Sequence, residues 1–290
     1  MISVVIPTWN RPTSLDRCLE SLERQTLPVE RWEVVVVDDG SDNEKTSDVA
    51  FARRLPGQVR YLRIGHSGVN SARNAGISAA KGDIICLLDD DEIAPPHWLE
   101  CIEAELSRHP ELAAVGGPYR GLGRPAFRTC ERCGDSASVS PPADGEWLLG
   151  GNVAIRRSAL EAVGLFDPEL SGLGDETEWM HRARHAGLRF AASEDLFVWH
   201  HRDDQRLTDL IAKGYRQGRN APMAWARMGV TNPRLSLWAT CTYFGRSMAH
   251  LAHCVSNLCL GGLIDAAEAI GIVRGLLLVA FAGRRGRLMR

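Results

Sequence analysis

The chain has 290 residues, of which 44% are hydrophobic and 24% charged, and this composition can bury a sizeable core, which argues against intrinsic disorder. The net charge of −2 is unevenly spread: residues 205–290 carry 12 Lys/Arg and 3 Asp/Glu, a balance of +9, against −11 for residues 1–204. An acidic body argues against nucleic acid as a partner, whereas a basic, apolar tail suits either an anionic membrane surface or packing against the acidic body. Eight scattered cysteines imply no disulfide framework.

The chain opens on a predicted strand. Residues 2–6 are mostly apolar and form this strand. The start of the sequence lacks the charged and apolar regions of a signal peptide, so we expect a cytoplasmic protein. Apolar residues then recur at helical spacing from Leu15 to Leu22, with Thr13 as the expected N-cap.

Strands and helices continue to alternate through the first half of the chain. The predicted elements are a strand at 34–37, a turn at 38–42, a short apolar piece at 59–64, a helix at 71–80 closed by Gly82, and a strand at 84–88. Because the strands are continuously hydrophobic, we expect helices on both faces of a mostly parallel sheet, which is an α/β fold.

Acidic residues follow the strand at 84–88 directly, as the triplet Asp89, Asp90 and Asp91. Neighbouring carboxylates raise each other's pKa unless a cation offsets the repulsion, and oxygen-rich sites suit Mg²⁺ or Mn²⁺. An isolated triplet is more commonly a solvated loop. Ligands of parallel sheets collect at the carboxyl ends of the strands, however, so we expect Thr8, Asp39 and Asp91 to meet on one rim.

The second half of the chain is less regular. Its predicted elements are a helix at 98–106, a strand at 113–117, an irregular functional loop at 118–146, a strand at 150–155, a helix from Ser158 and an acidic helix start at 174–178. Within the loop, Cys130 and Cys133 form one C-x-x-C pair, for which a zinc site and a pair of loop thiols both stay open.

Five segments of this sequence together resemble the family 2 nucleotide-sugar glycosyltransferases of the GT-A fold, in order and in spacing. The segments are 3–11 (SVVIPTWNR), 36–41 (VVDDGS), 71–76 (SARNAG), 88–91 (LDDD) and 174–178 (GDETE). The resemblance covers about residues 1–220. It implies a GT-A catalytic domain at 1–204, with a nucleotide-binding half at about 1–117 and an acceptor half at 118–204, followed by a basic helical region at 205–290.

The resemblance also implies a nucleotide-sugar site. Its residues would be Pro7, Thr8, Asn10, Arg11, Asp38, Asp39, Arg73, Asp89, Asp90, Gly151 and Asn152. Asp39 would accept a hydrogen bond from the base, which favours a UDP-sugar, and Arg73 would lie near the base or diphosphate. Gly151 would let the backbone approach the donor sugar, although the start of a strand explains the same glycine.

The metal and catalytic positions follow from the same resemblance. Asp89 and Asp91 match the outer positions of a D-x-D motif that holds Mn²⁺ or Mg²⁺. His200 resembles a histidine near the metal, although an ordinary half-buried histidine explains it equally well. Glu176 falls at the position of the catalytic base, with Asp175 as the open alternative.

The implied enzyme is an inverting glycosyltransferase in surface polysaccharide or glycoconjugate biosynthesis. Its acceptor would be a sugar, lipid-linked or other hydroxyl, because a positioned carboxylate can take the proton of an attacking alcohol. The alternative is a non-catalytic GT-A module that binds nucleotide sugars or a partner protein.

The end of the chain combines apolar residues with arginines. The apolar run 276–281 is followed by Arg284, Arg285, Arg287 and Arg290, and it is too short to span a bilayer. This pattern indicates an interfacial anchor on the inner face of the cell membrane, and a helical hairpin for homodimerisation explains it as well.

Overall fold

A computed structural model describes residues 1–42, 44–52, 55, 59–122, 148–170, 175–201, 207–228, 263–264 and 266–274. The chain divides into two compact units. The first unit comprises 1–122, 137–168 and 179–201, and the second comprises 123–136, 169–178 and 202–290. The C-x-x-C pair, almost all of the irregular loop and the arginine-rich end lie outside the described residues. The domain boundary expected at residue 204 stays a prediction.

A seven-stranded sheet forms the framework of the first unit. Its strands are β1 Ile2–Thr8, β2 Trp32–Asp38, β3 Val59–Arg63, β4 Ile84–Leu88, β6 Leu112–Gly116, β8 Asn152–Arg156 and β9 Arg189–Ala192. Their order in the sheet is β3-β2-β1-β4-β8-β6-β9. Neighbouring strands run parallel except for β8, which is antiparallel to both β4 and β6. The predicted α/β fold with a mostly parallel sheet is therefore confirmed.

Helices cover both faces of this sheet. They are α1 Pro12–Glu23, α2 Lys45–Ala52, α3 Val69–Ala79, α4 Trp98–Arg108, α5 Arg157–Val163 and α6 Asp175–His185. One apolar core joins Val4 and Ile6 to side chains of α1 and α4, and the other joins Val5 to side chains of α3, α5 and α6. Alternate residues of β1 thus enter opposite cores, which is why the strand is apolar throughout.

A second, three-stranded sheet brings distant residues to the end of β4. Its strands are β5 Glu92–Ile93, β7 Tyr119–Leu122 and β10 Val198–His201, with β10 in the middle. His200 pairs with Glu92 across the antiparallel β5–β10 contact. This pairing places His200 beside the acidic triplet, 109 residues after Asp91 in the sequence.

Two predicted helix caps were wrong. Thr13 lies inside α1, because Pro12 occupies its first position, where a proline loses no hydrogen bond and its fixed φ suits the helix. Gly82 does not end α3, which stops at Ala79. A Cβ at Gly82 would lie 2.7 Å from the carbonyl oxygen of Met1, so this glycine instead allows the chain to pass close to β1.

Close helix packing characterises the second unit. The helix α7 spans Leu207–Arg227, and residues 266–274 are also helical. A Cβ at Gly214 would lie 2.9 Å from the carbonyl oxygen of Ile264, and one at Gly271 would lie 2.8 Å from the backbone nitrogen of Arg219. Glycines therefore let the two backbones meet. Within the described parts of the chain, no helix has the length and apolar character needed to cross a membrane.

The packing of α3 on the sheet gives a stability prediction. A Cβ at Gly76 would overlap the side chain of Val5 and lie 3.0 Å from Cγ2 of Val37. We expect Gly76→Ala to lower the free energy of unfolding by about 1–3 kcal/mol in a urea titration, because the core is overpacked. Gly65→Ala is the matched control, since nothing lies within 4 Å of its Cβ position. Equal unfolding midpoints for the two variants would contradict the packing described.

Candidate active site

Asp90 is the buried member of the acidic triplet. Its side chain accepts a hydrogen bond from Thr8 Oγ1 at 2.7 Å and another from Arg11 Nη1 at 3.2 Å, and the residue is 5% exposed. Burial raises the pKa of Asp90 to about 7, with Arg11 opposing this shift. Asp90, with Asp91, in turn raises the pKa of the Arg11 guanidinium, which stays charged. The end of β1 and the loop after it thus supply the donors that this carboxylate needs.

Asp91 lies between two cationic or potentially cationic side chains. Its Oδ2 atom is 2.8 Å from Arg11 Nη1 and 3.6 Å from His200 Nε2. The Arg11 side chain is 51% exposed, whereas those of Asp91 and His200 are 17% exposed. The ring of Tyr119 stacks on that of His200 with centroids 5.7 Å apart. Of these two neighbours of Asp91, the arginine is the more exposed to solvent.

The donor atoms of Asp91 and His200 fit a divalent cation. Two ligands that share one ion with bonds of about 2.1 Å stand about 3–4 Å apart, which is the separation seen between Oδ2 and Nε2. Carboxylate oxygen and imidazole nitrogen are ligands that Mn²⁺ accepts. No three His, Cys, Asp or Glu side chains of the described residues form a ready metal cluster, however.

Asp89 is paired with a different side chain, that of Arg73. Its Oδ1 atom accepts a hydrogen bond from Arg73 Nη2 at 3.1 Å, and Arg73, on α3, is 4% exposed. A buried guanidinium next to a partly exposed carboxylate forms a rigid charged pair at the rim. The structure therefore separates the two outer aspartates of the triplet, pairing Asp89 with Arg73 and Asp91 with Arg11 and His200.

Glu92 is a site residue that the sequence motifs did not indicate. Its carboxyl group is 1% exposed, accepts the backbone N–H of Asp89 at 3.2 Å, and receives a hydrogen bond from the Tyr119 hydroxyl. The same hydroxyl accepts the N–H of Gly151 at 2.9 Å. Burial, reinforced by Asp89 and Asp91, raises the pKa of Glu92 well above its usual value.

Gly151 is in close contact with these carboxylates. A Cβ there would lie 2.6 Å from the carboxyl carbon of Asp89 and 2.7 Å from Oε1 of Glu92. Glycine is thus required by close approach, which accounts for it without a donor sugar. The Asn152 side chain is 1% exposed, accepts from Trp98 Nε1 at 3.1 Å and donates to the carbonyl of Leu196 at 2.7 Å. Its role in the structure is to join α4 to the loop before β10.

Asn10 joins the loops after β1 and β2 through hydrogen bonds. Its backbone N–H donates to Ser41 Oγ at 2.8 Å, and its side chain exchanges two hydrogen bonds with Asp42, at 2.7 and 2.8 Å. Asn10 has a φ of 56°, in the left-handed region that asparagine tolerates. The Asn10 side chain therefore holds these two loops together at the carboxyl ends of β1 and β2.

Asp38 and Asp39 are both engaged by the chain itself. Asp38 is fully buried and accepts from Ser41 N at 2.8 Å and from the Tyr61 hydroxyl at 2.5 Å. The Asp39 carboxylate accepts the backbone N–H groups of Ser67 at 2.7 Å and Gly68 at 2.9 Å, just before α3. The backbone N–H of Asp39 donates to the Thr8 carbonyl, which puts both loops on one rim as predicted.

Exposed aromatic rings lie beside Asp39. His66 Nδ1 is 2.9 Å from Asp39 Oδ2, and the His66 ring stacks on Trp9 with centroids 4.4 Å apart and planes 20° apart. Neither ring was among the site residues expected from the sequence. Pro7, in contrast, is a buried residue of β1 in register with Val37.

The predicted catalytic base lies on α6. Asp175 and Glu176 are the first two residues of this helix, and Glu176 is half-buried. Arg182, six residues after Glu176, donates to the carbonyls of Val163 at 2.7 Å and Leu165 at 2.8 Å. This arginine holds α6 against the end of α5.

The site residues that sequence reasoning missed differ in how clearly the sequence could have indicated them. Glu92 directly extends the acidic run, so it was within reach of sequence reasoning. Tyr119 and His66 stand next to no motif, and their roles arise from strand pairing and from the loop that precedes α3.

Comparisons with known proteins agree with this architecture. A family model described as glycosyl transferase family 2 matches residues 3–163. The chain is 27% identical over 248 residues to the glycosyltransferase AglE of Haloferax volcanii, covering 82% of this chain and 79% of that protein. It is 32% identical over 205 residues to the succinoglycan biosynthesis protein ExoM of Rhizobium meliloti, covering 68% and 65%.

Solved structures share the fold. The chain superposes on the mannosyltransferase PcManGT from Pyrobaculum calidifontis, solved in complex with GDP-Man and Mn²⁺, with a TM-score of 0.65 at 18% identity. The match covers 95% of this chain and 86% of that one. At 18% identity, this similarity supports a shared fold only.

The hydrogen bond between Tyr119 and Glu92 gives a second prediction. Tyr119→Phe keeps the ring on His200 but removes a hydroxyl with two partners, so the free energy of unfolding should fall by about 1–3 kcal/mol. In a double-mutant cycle with Glu92→Gln, urea unfolding should give a coupling energy of about 0.5–3 kcal/mol.

Tyr61→Phe is the matched control for this cycle. It removes a similar phenol–carboxylate bond, to Asp38 rather than Glu92. The changes in the free energy of unfolding caused by Tyr61→Phe and Glu92→Gln should therefore add without a coupling energy. If the changes caused by Tyr119→Phe and Glu92→Gln also simply add, the contact between Tyr119 and Glu92 is refuted.

Proposed function

The chain belongs to glycosyl transferase family 2, and from this membership we propose that it moves a sugar from a nucleoside-diphosphate donor to an acceptor hydroxyl with inversion. A member of this family is a glycosyltransferase of glycan biosynthesis. The proposed acceptor is a sugar, a lipid-linked or another hydroxyl of a surface polysaccharide or glycoconjugate.

The observation that carries this proposal is the charge arrangement at the end of β4. Asp91 lies against Arg11 and His200, and Asp89 lies against Arg73. A diphosphate needs cations, and this rim offers two guanidinium groups and a carboxylate–imidazole pair that fits a divalent ion. A non-catalytic module that binds nucleotide sugars would use the same cations, so what favours an enzyme is that an acidic residue, Glu176, also stands at the position of the catalytic base.

We assign Mn²⁺ or Mg²⁺ to Asp91 and His200, with Asp89 nearby. When bound, the ion would offset the negative charge that develops on the departing diphosphate. The Mn²⁺ ion of the PcManGT complex is consistent with this assignment. Arg11 would release Asp91 and turn its charge to the diphosphate, while the buried Arg73 keeps Asp89 in place.

Glu176 is the proposed general base. The acceptor oxygen attacks the anomeric carbon, the bond from that carbon to the diphosphate oxygen breaks, and the hydroxyl proton passes to the Glu176 carboxylate. One displacement inverts the anomeric centre, so an α-linked donor gives a β-linked product. Asp175 remains the alternative base in this proposal.

A donor screen by product mass tests the function. UDP-, GDP- and dTDP-sugars are offered with Mn²⁺ or Mg²⁺, and a UDP-sugar is the expected donor. Asp91→Ala should weaken metal-dependent nucleotide binding. Glu176→Gln should retain that binding and lower the turnover rate by about 10²- to 10⁴-fold, because the proton has no acceptor.

Two controls sharpen this screen. Asp83→Ala removes an exposed carboxylate just before β4, at the opposite end of the strand from Asp91, and should leave nucleotide binding unchanged. Asp175→Asn tests the neighbouring acid. Full turnover in Glu176→Gln, together with loss of turnover in Asp175→Asn, would assign the general base to Asp175. If no donor gives sugar transfer, the proposed function is refuted.

We further propose that the second unit binds an anionic membrane surface. Ile270 is 56% exposed and Val273 42% exposed, three residues apart on the helical segment 266–274. They share a face of that helix, and residues 205–290 carry a charge of +9. Exposed apolar side chains on a segment of net positive charge suit the interface of an anionic leaflet.

Vesicle sedimentation tests this surface. The full chain should partition into phosphatidylglycerol vesicles in a salt-sensitive way, and Ile270→Asp/Val273→Asp should weaken partition more than about tenfold, because two apolar side chains no longer insert. Phe51→Asp, at a residue 70% exposed in the first unit, is the control. Equal partition of all three proteins would exclude this face, and a concentration-dependent dimer lost in the double variant would favour dimerisation instead.

A further inference from the structure

Side chains hold the main chain at residues 163–167, which run from the end of α5 into the loop before α6. Each backbone carbonyl of this segment accepts a hydrogen bond of 2.7–2.9 Å from a side chain of α3 or α6. In the order of the carbonyls, the donors are Arg182, Trp179, Arg182, Asn74 and Asn70. Gly164 and Leu165 are exposed, so water is available to their carbonyls. Solvation of the loop alone therefore does not explain this set of contacts.

On the side of α3, Asn74 makes a two-point contact with the segment. Its Nδ2 donates to the Phe166 carbonyl at 2.8 Å, and its Oδ1 accepts the Phe166 N–H at 3.1 Å. Because both ends of one amide bind one residue, the contact fixes orientation as well as distance. Asn70, which is 1% exposed, donates to the Asp167 carbonyl at 2.9 Å. The helix α3 therefore holds the second half of the segment.

The same face of α3 also contacts the acidic triplet. Asn70, Arg73 and Asn74 have the spacing i, i+3, i+4, so their side chains are neighbours on the helix. Arg73 donates to Asp89 Oδ1 at 3.1 Å and to Asn70 Oδ1 at 3.4 Å. Hydrogen bonds of α3 thus connect the carboxylates after β4 with the segment 163–167.

On the other side, α6 holds the first half of the segment through two side chains. Trp179 is fully buried, and its ring lies against that of Phe166 with centroids 5.7 Å apart. The Trp179 indole N–H and the Arg182 guanidinium are the donors to the first three carbonyls. Glu176 precedes Trp179 by three residues, so the two lie about one turn apart on the same helix. The position of the segment therefore determines the position of the helix that carries Glu176.

We propose that Asn70 and Asn74 are positioning residues for glycosyl transfer, which act through the segment 163–167 to set the place of α6 and thereby of Glu176. The inference rests on the proposed function, in which Glu176 is the general base. A base must stand within hydrogen-bond reach of the hydroxyl that it deprotonates, and a displacement of about 1 Å lowers the rate by up to about 10²-fold. Neither asparagine belongs to the donor or metal site described above, so their effect on transfer is indirect.

Asn74→Ala is the first test, because it removes both hydrogen bonds to Phe166 and leaves Arg73 with Asp89. Turnover is measured as release of nucleoside diphosphate from whichever UDP-, GDP- or dTDP-sugar the unmodified protein consumes with Mn²⁺. We expect kcat to fall about 10- to 100-fold, because Glu176 is displaced. The dissociation constant of that nucleoside diphosphate with Mn²⁺, measured by calorimetric titration, should stay unchanged, because the diphosphate side of the site is not altered.

A double-mutant cycle with Glu176→Gln separates positioning from a loss of stability. If Asn74 acts through Glu176, the variant Asn74→Ala/Glu176→Gln should have the same kcat as Glu176→Gln alone, because displacing a base that is already absent has no further effect. A general loosening of the fold would instead lower kcat by the product of the two single effects. Multiplying effects would therefore overturn the inference.

Arg157→Ala is the matched control. Arg157 is the first residue of α5 and donates to the carbonyls of Ala80 and Gly82, both at 2.7 Å, just beyond the end of α3. This variant removes the same kind of bond, from a side chain to a backbone carbonyl, at the opposite end of α3 from Asn70. It should unfold at a lower urea concentration than the unmodified protein and keep its kcat.

The remaining outcomes separate this inference from the proposed function. Unchanged kcat in Asn74→Ala would overturn the inference, as would an equal loss of kcat in Arg157→Ala, which would indicate a general effect of destabilisation. Unchanged turnover in Glu176→Gln would also overturn it, because the base would then not be Glu176, while sugar transfer itself would stand. If the unmodified protein consumes no donor, the proposed function is refuted instead.

Discussion

Negative charge at the carboxyl end of β4 is the constraint on which the rest of the first unit depends. Asp90 and Glu92 are buried, and burial raises the pKa of both. The four carboxyl groups of residues 89–92 have partners from elsewhere in the chain. Thr8 at the end of β1 and Arg11 in the loop after it donate to Asp90, and Arg73 on α3 donates to Asp89. Tyr119 on β7 donates to Glu92, and His200 on β10 lies 3.6 Å from Asp91. The need to satisfy these groups therefore fixes how four elements, β1, α3, β7 and β10, meet around the end of β4.

The fold was predictable where each strand is buried on both faces. β1 sends Val4 and Ile6 into one core and Val5 into the other, so its apolar run is continuous and a parallel sheet follows. Helix ends were less predictable, because competing local signals decide them. At α1 both Pro12 and Thr13 suit a helix start, and the fixed φ of Pro12 prevails over a side-chain cap from Thr13.

The site was predictable as far as strand topology determines it. Thr8 meets Asp90 across 82 residues of sequence, because β1 and β4 are parallel neighbours whose ends coincide. Tyr119 and His200 meet for another reason: β7 and β10 pair in a small second sheet with short strands. Four-residue strands carry too little periodicity for their register to be read from sequence, so the contact of Tyr119 with Glu92 was not foreseen.

Asp39 and Asp91 lie on one rim but are held by different kinds of partner. Both follow strands of the same sheet, yet Asp39 is held by backbone N–H groups and Asp91 by the side chains of Arg11 and His200. The backbone donors of Ser67 and Gly68 immediately precede α3, so they hold Asp39 through the main chain and not through a side-chain rotamer. Arg11 is half-exposed, so part of its charge is already solvated by water, although the same Nη1 atom also donates to the buried Asp90. Asp91, whose partners include a half-exposed side chain, is thus the carboxylate that the proposed metal site uses, whereas the main chain holds Asp39 in place.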